Sequence, residues 1–274
     1  MKYKLIASDL DGTLLSDNAQ VSNENFEAIK KITERGVVFA PVTGRAMYEM
    51  PENVVNCPDI RYIVSSNGAV IYDKETKEKW THCFEGKRFL DIYNLLKNYT
   101  VTMTIHYDCK SITDADKVSD EAFDYYRLND YYRNHLRTTN EFMEGFDEFF
   151  SQEREAEMLS VFFRYEDELK DCLAKLQAME DVDVTASTSG NLEIIRHGAL
   201  KGAAVIKLCE MLGISTDEMI AVGDSRNDIS MINEAGLALA ASNSIDILKE
   251  ASDEIICSNN EHVAVYIYDN IINK

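Results

Sequence analysis

Between residues 1 and 80, and again after 199, short apolar runs alternate with stretches of helical periodicity, and this rhythm leaves few possible architectures. Leu5–Ser8 reads as a strand. Residues 22–35 read as a helix, with Phe26, Ile29 and Ile32 on one face, Ser22 placed to cap the N-terminus and Gly36 the C-terminus. Residues 37–42 and Tyr62–Ser65 are the next strands, and Asn67-Gly68 before the apolar run 69–72 is a hairpin signal. After Ala199 come a helix over 202–212, a strand over 219–222, a helix over 228–235, a strand Leu237–Ala240 and a terminal helix from about His262. Strands alternating with helices predict an α/β fold: a Rossmann-like parallel sheet with helices on both faces. Ligands of such sheets bind outside the carboxyl ends of the strands, and Asp9 and Thr43 each follow such an end.

The middle of the chain has a different character. Aromatic and acidic residues crowd together in SDEAFDYYRLNDYYRNH and NEFMEGFDEFFSQEREAE, and strand-like segments at 101–106, 159–164, 182–187 and 192–195 are separated by helical stretches. Ser189-Gly190 reads as the turn between the last two. The expected organisation is a core domain of residues 1–81 and 191–274, with an α+β cap, 82–190, inserted into it. The Tyr/Phe cluster at 123–150 reads as cap core or cap surface, Trp80 as packing or hinge, and His82, His106, His135 and His197 as surface or cap residues.

Length and charge narrow the function. A chain of 274 residues suffices for two moderate domains with proper cores. The net charge of −20 argues against a nucleic-acid backbone or an anionic membrane surface as partner, since both require a basic face. The apolar run before Asp9 is too short for a signal-peptide core, and no stretch approaches bilayer length, so a cytoplasmic protein is expected. Six cysteines at wide spacings, without a C-x-x-C pair, read as small buried hydrophobes.

Four short motifs carry the chemistry. Asp9-Leu10-Asp11-Gly12-Thr13 closes the first strand with two carboxylates two residues apart; alone it is compatible with a solvated acidic turn. It does not match a calcium loop of the EF-hand type, which needs Gly and Glu where Leu14 and Gln20 stand. Gly223-Asp224-Ser225-Arg226-Asn227-Asp228 follows another strand, where a capped strand-to-helix turn is the plain alternative. If the two strands are neighbours, Asp9, Asp11 and Asp224 converge into the hard-oxygen shell that Mg2+ prefers. Thr43-Gly44-Arg45 offers a hydroxyl and a close backbone approach, with a helix N-cap as the plain alternative. Lys201 sits in the first turn of a helix, where the helix dipole opposes it, a misfit that points to a facing anion, with a solvated surface lysine as the plain alternative. Together the motifs describe a phosphoryl-transfer site.

The ordered set DLDGTLL, VTGR, LEIIRHGALKG and GDSRNDISMI resembles the haloacid dehalogenase superfamily, and within it the Cof-type phosphatases with a large inserted cap of type IIB. The resemblance implies that Asp9 is the nucleophile, forming an aspartyl-phosphate, and that Asp11 is the general acid and base. It implies Mg2+ held by Asp9, the Asp11 carbonyl and Asp224, with Asp228 in support, and a phosphoryl group contacted by Thr43, the amides of Leu10 and Gly44, Lys201 and Asn227. Asn243-Ser244 and Glu261-His262 depart from the family pattern at positions that are not catalytic. The expected activity is hydrolysis of a small phosphate ester, a sugar phosphate first. A phosphomutase, and a non-catalytic binding protein using the acidic aromatic cap, are the alternatives.

Overall fold

A computed structural model describes residues 2–150, 152, 154–186 and 190–274. In chain order its strands are β1 (Leu5–Ser8), β2 (Val38–Pro41), β3 (Tyr62–Ser65), β4 (Val70–Asp73), β5 (Lys79–Thr81), β6 (Val101–Tyr107), β7 (Lys110–Asp114), β8 (Glu141–Met143), β9 (Met158–Phe163), β10 (Val182–Thr185), β11 (Asn191–Arg196), β12 (Met219–Gly223), β13 (Leu237–Ala240) and β14 (Glu254–Ile255). The chain forms two compact units, one of Met1–Gly44, Met50–Trp80 and Leu200–Lys274, the other of Arg45–Glu49 and Thr81–Ala199.

In the first unit the strands run β14-β13-β12-β1-β2, every pair parallel. Strand β1, an interior strand between β12 and β2, is buried along its whole length, as a strand between helical layers must be. Leu5 and Ala7 pack with Ala204, Val205 and Leu208 of the helix Lys201–Leu212. The helix Asn23–Glu34 buries Ala28, Ile29 and Ile32, and the Ser22 side chain accepts the Asn25 N–H at its N-terminus, as the sequence predicts. A second, three-stranded sheet has the order β3-β4-β5, and Trp80 packs against the apolar core of this unit.

The second unit is built on a six-stranded sheet, β10-β11-β9-β6-β7-β8. Alternation along its strands divides the two faces. Val101, Met103 and Ile105 of β6 join Leu159, Val161 and Phe163 of β9 in an apolar core with Phe89, Ile92 and Leu96 of the helix Gly86–Leu96. The intervening residues Thr102, Thr104 and His106 are buried on the other face beside Ser111 and Thr113 of β7. Strand β11 pairs with β9 and β10, so residues 191–196 belong to this sheet rather than to the core side of a division at 190/191. The compact units divide after Trp80 and after Ala199.

Several elements differ from their sequence-predicted bounds. The helix expected over 228–235 begins earlier, as a 3-10 turn, Arg226–Asp228, whose start Ser225 and the Asp228 carboxylate cap, and its regular part is a short helix, Ile229–Ile232. Strand β10 ends at Thr185; Ser187 and Ser189 of the expected strand and turn lie outside the described residues. Of the cysteines, Cys57, Cys83, Cys109, Cys172 and Cys209 are buried and, among the described residues, none forms a disulfide, in keeping with the small-hydrophobe reading. Among the described residues no helix is long and apolar enough to cross a membrane.

Candidate active site

Strand β1 lies between β2 and β12, with Ser8 level with Pro41 and Val222. The Asp9 N–H donates to the Val222 carbonyl at 2.9 Å, extending the ladder one residue past β1 and fixing where the chain leaves the sheet. Asp9 and the loop after β12 therefore emerge side by side on the carboxyl rim. One carboxylate oxygen from each of Asp9, Asp224 and Asp228 lies within 4.8 Å of the other two.

Lys201 holds this group together. Its Nζ donates to Asp9 Oδ1 and to Asp228 Oδ1, both at 2.6 Å, and the side chain is 1% exposed. Burial alone would lower its pKa, but the carboxylates of Asp228 and Asp9 outweigh that and raise it, so the lysine is charged. Asp228 is fully buried, and its second oxygen accepts the N–H groups of Asp224 and Ser225, at 3.0 and 2.9 Å. Both Asp228 oxygens are thus engaged by the protein.

Asp9 and Asp224 are in the opposite situation. Burial raises the Asp9 pKa well above the usual carboxylate range, and the charges of Asp228, Asp224 and Asp11 raise it further against the pull of Lys201. Asp224 is pushed up to about 6 by burial and by Asp228, although Thr13 Oγ1 donates to its Oδ1 at 3.1 Å. One lysine does not balance this much negative charge. Hard carboxylate oxygens gathered in excess of their counterion suit a divalent cation. Asp224 and Asp9 have the donor character to ligate one, while Asp228 orients the loop and the lysine.

The turn after β1 is shaped to the same purpose. Gly12 has φ +73°, and a Cβ built there would stand 2.5 Å from Asp224 Oδ2, so only glycine fits. Asp11 is half-buried, bridges to Leu15, and raises the Asp9 pKa through its charge. Leu10 and Thr43 are buried and Gly44 is half-buried, all within the same unit; the Thr43 N–H donates to the Val64 carbonyl at 2.9 Å. Asn227 accepts from Ser225 Oγ at 2.6 Å and donates from Nδ2 to Asn67 Oδ1 at 3.1 Å.

Three residues of the first unit, Thr13, Asn243 and Ser244, brace the site without a role in the motif reading. Thr13 contacts Asp224 directly, a role concealed at the end of DLDGT. Asn243 Nδ2 donates to the Gly12 carbonyl at 2.7 Å and Ser244 Oγ to the Gly223 carbonyl at 3.1 Å, so Asn243-Ser244, one of the departures from the family pattern, braces the two acidic loops. In the second unit Glu49 is buried, with His135 Nε2 3.2 Å from Oε1 and His106 Nε2 3.7 Å from Oε2. Burial would raise the Glu49 pKa, but the two histidines bring it down to about 2. Nothing in the local sequence links three residues so far apart.

The chain matches the family of haloacid dehalogenase-like hydrolases over residues 6–267. A 5-amino-6-(5-phospho-D-ribitylamino)uracil phosphatase, YcsE, of Bacillus subtilis (strain 168) is 30% identical over 260 residues, covering 94% of this chain and 91% of that protein. Phosphatase YwpJ of the same organism is 27% identical over 284 residues, covering 98% and 100%. The solved structure of a haloacid dehalogenase-like hydrolase from B. subtilis aligns with a TM-score of 0.83 at 28% identity, covering 98% of this chain and 99% of that one. The chain therefore belongs to the haloacid dehalogenase-like hydrolases, and within them it is a phosphatase.

Proposed function

We propose that the protein is a Mg2+-dependent phosphomonoesterase that releases phosphate from a small phosphorylated metabolite through an aspartyl-phosphate on Asp9. The observation that carries this reading is the buried contact of Lys201 with both Asp9 and Asp228 beside Asp224, on the carboxyl ends of β1 and β12. A carboxylate is a poor nucleophile toward a phosphate dianion because the two repel. Mg2+ held by Asp9, Asp224 and the Asp11 carbonyl would supply the charge that offsets this repulsion.

Asp9 attacks phosphorus with one carboxylate oxygen while Lys201 holds the other in place. The bond from phosphorus to the leaving oxygen breaks, and Asp11 gives that oxygen its proton. The Asp11 carboxylate then takes a proton from water, whose oxygen bonds to phosphorus as the acyl-phosphate bond breaks. Inorganic phosphate leaves and both aspartates return to their starting states. Thr43, the amides of Leu10 and Gly44, Lys201 and Asn227 hold the phosphoryl oxygens during both steps. A sugar phosphate or sugar-alcohol phosphate is the first substrate class; YcsE, named for a phosphoribityl compound, supports it.

The test is phosphate release from an aryl phosphate and from a panel of sugar and sugar-alcohol phosphates, with Mg2+ and with chelator. The reading predicts Mg2+-dependent release of inorganic phosphate and a loss on the order of a thousandfold or more in Asp9→Asn. Full activity in that variant, or an isomerised phosphate ester in place of free phosphate, overturns it.

A further inference from the structure

The turn joining β3 to β4 does more than reverse the chain. A two-residue Asn-Gly hairpin would suffice for that. Here Ser65 pairs with Val70, and three successive residues of the intervening loop, Ser66, Asn67 and Gly68, all have positive φ, at 50°, 56° and 109°. Serine rarely adopts that conformation and asparagine tolerates it better. Ser66 and Asn67 are also buried, at 0% and 1% exposure. A strained, buried turn persists only where its surroundings hold it.

Its contacts reach three segments of the site. The Asn67 N–H donates to the Thr43 carbonyl at 3.0 Å, and Thr43 is held on its other side by Val64. Asn67 Oδ1 accepts from Asn227 Nδ2 at 3.1 Å, and a Cβ built on Gly44 would lie the same 3.1 Å from that oxygen. A Cβ on Gly68 would stand 2.6 Å from the Leu200 carbonyl, which itself accepts the Ala204 N–H in the first turn of the helix that begins at Lys201. Segments 43–44, 200–201 and 227 are distant in sequence, and they meet on one three-residue turn.

We propose that Asn67 is a positioning residue for phosphoryl transfer: its backbone sets Thr43 and its side-chain carbonyl sets the Asn227 amide, so that both present to one phosphoryl group. The inference rests on the proposed function, because it takes Thr43 and Asn227 as the phosphoryl contacts. Asn67 touches neither substrate nor metal in this account. Its effect passes through the two residues it holds.

The experiment compares Asn67→Gly and Asn67→Ser, each alone and combined with Asn227→Ala. Glycine accepts positive φ without strain, and serine adopts it at Ser66 in this same turn, yet neither side chain reaches Asn227. Each single variant is expected to stay folded at the assay temperature, with a lowered melting temperature, while kcat falls by about tenfold to a hundredfold and inhibition by inorganic phosphate weakens. The double variants should lose no more than Asn227→Ala alone, since both changes break one coupling. Wild-type kcat and phosphate inhibition in either folded variant, or losses that multiply in the double variant, overturn the proposal. Asp9→Asn measured alongside separates the two levels. If it is inactive while Asn67→Gly behaves as wild type, the positioning role fails alone; if it is active, the underlying reading fails.

Discussion

At the scale of single residues, the site is a set of carboxylates given different tasks by their neighbours. Asp228 is saturated: Lys201 takes one oxygen and two backbone N–H groups the other. Removing it leaves Lys201 with less compensation for its buried charge, and breaking a buried pair in this way costs about 3–5 kcal/mol. Asp228→Ala should therefore lower the denaturant midpoint strongly, with or without Mg2+. Asp224 has the reverse balance. Its folded pKa, about 6, lies above the ordinary 3.8, so its ionisation opposes folding fully above the folded value and not at all below the ordinary one. Metal-free Asp224→Asn is expected to be at least as stable as wild type at about pH 8 and to lose the rise in melting temperature that Mg2+ gives the wild type. A metal-free variant less stable than wild type would contradict this. Glu49 runs the other way again. Held near 2 against an ordinary 4.5, it stabilises its unit above the ordinary value and loses that contribution as pH falls through the interval. The stability difference between wild type and Glu49→Gln should shrink steadily across that interval in acid titrations of thermal unfolding.

At the scale of elements, the parts legible in the sequence are those governed by local rules. The helix Asn23–Glu34 is announced by its apolar spacing and by Ser22, and its cap forms as read. Strands β1 and β12 are short buried runs, apolar but for Ser8 and Gly223, and the acidic loops after them are conspicuous because each places carboxylates directly at the end of a buried strand. The hidden parts depend on contacts between distant segments. Strand β14 has two residues, and β7 is a polar-looking run whose Ser111 and Thr113 are buried only because β6 lies alongside. Asn67-Gly68 gives the turn away but not its left-handed course, which is set by Thr43, Leu200 and Asn227. Gly12 offers a test at this scale. Gly12→Ala places a methyl 2.5 Å from Asp224 Oδ2 at a φ that alanine resists. It should weaken Mg2+ affinity, read by titrating activity against the metal, about tenfold or more while the protein stays folded. Unchanged metal dependence would show that the turn is not a wall of the cation site.

At the scale of the molecule, a chain of net charge −20 is proposed to act on a dianion. Its long-range field opposes the encounter, and the attraction is confined to the few ångströms around Lys201 and the cation. With Mg2+ saturating, kcat/KM should hold or rise as salt increases, because screening removes the repulsion first; a steep fall would reveal a steering patch elsewhere. The buried polar face of the cap and the Glu49 cluster belong to the second unit, whereas Asp9, Asp11, Lys201 and Asp224 all belong to the first. The central claim is that phosphorus bonds to Asp9 on the way to product. Acid quenching during turnover, followed by mass analysis of the peptides, tests it most directly. The account predicts one added phosphoryl group on the peptide carrying Asp9, present with Mg2+ and substrate and absent in Asp9→Asn. Phosphoryl found on another residue, or product formed in a single turnover with Asp9 never labelled under conditions where an added acyl-phosphate survives the quench, would contradict it.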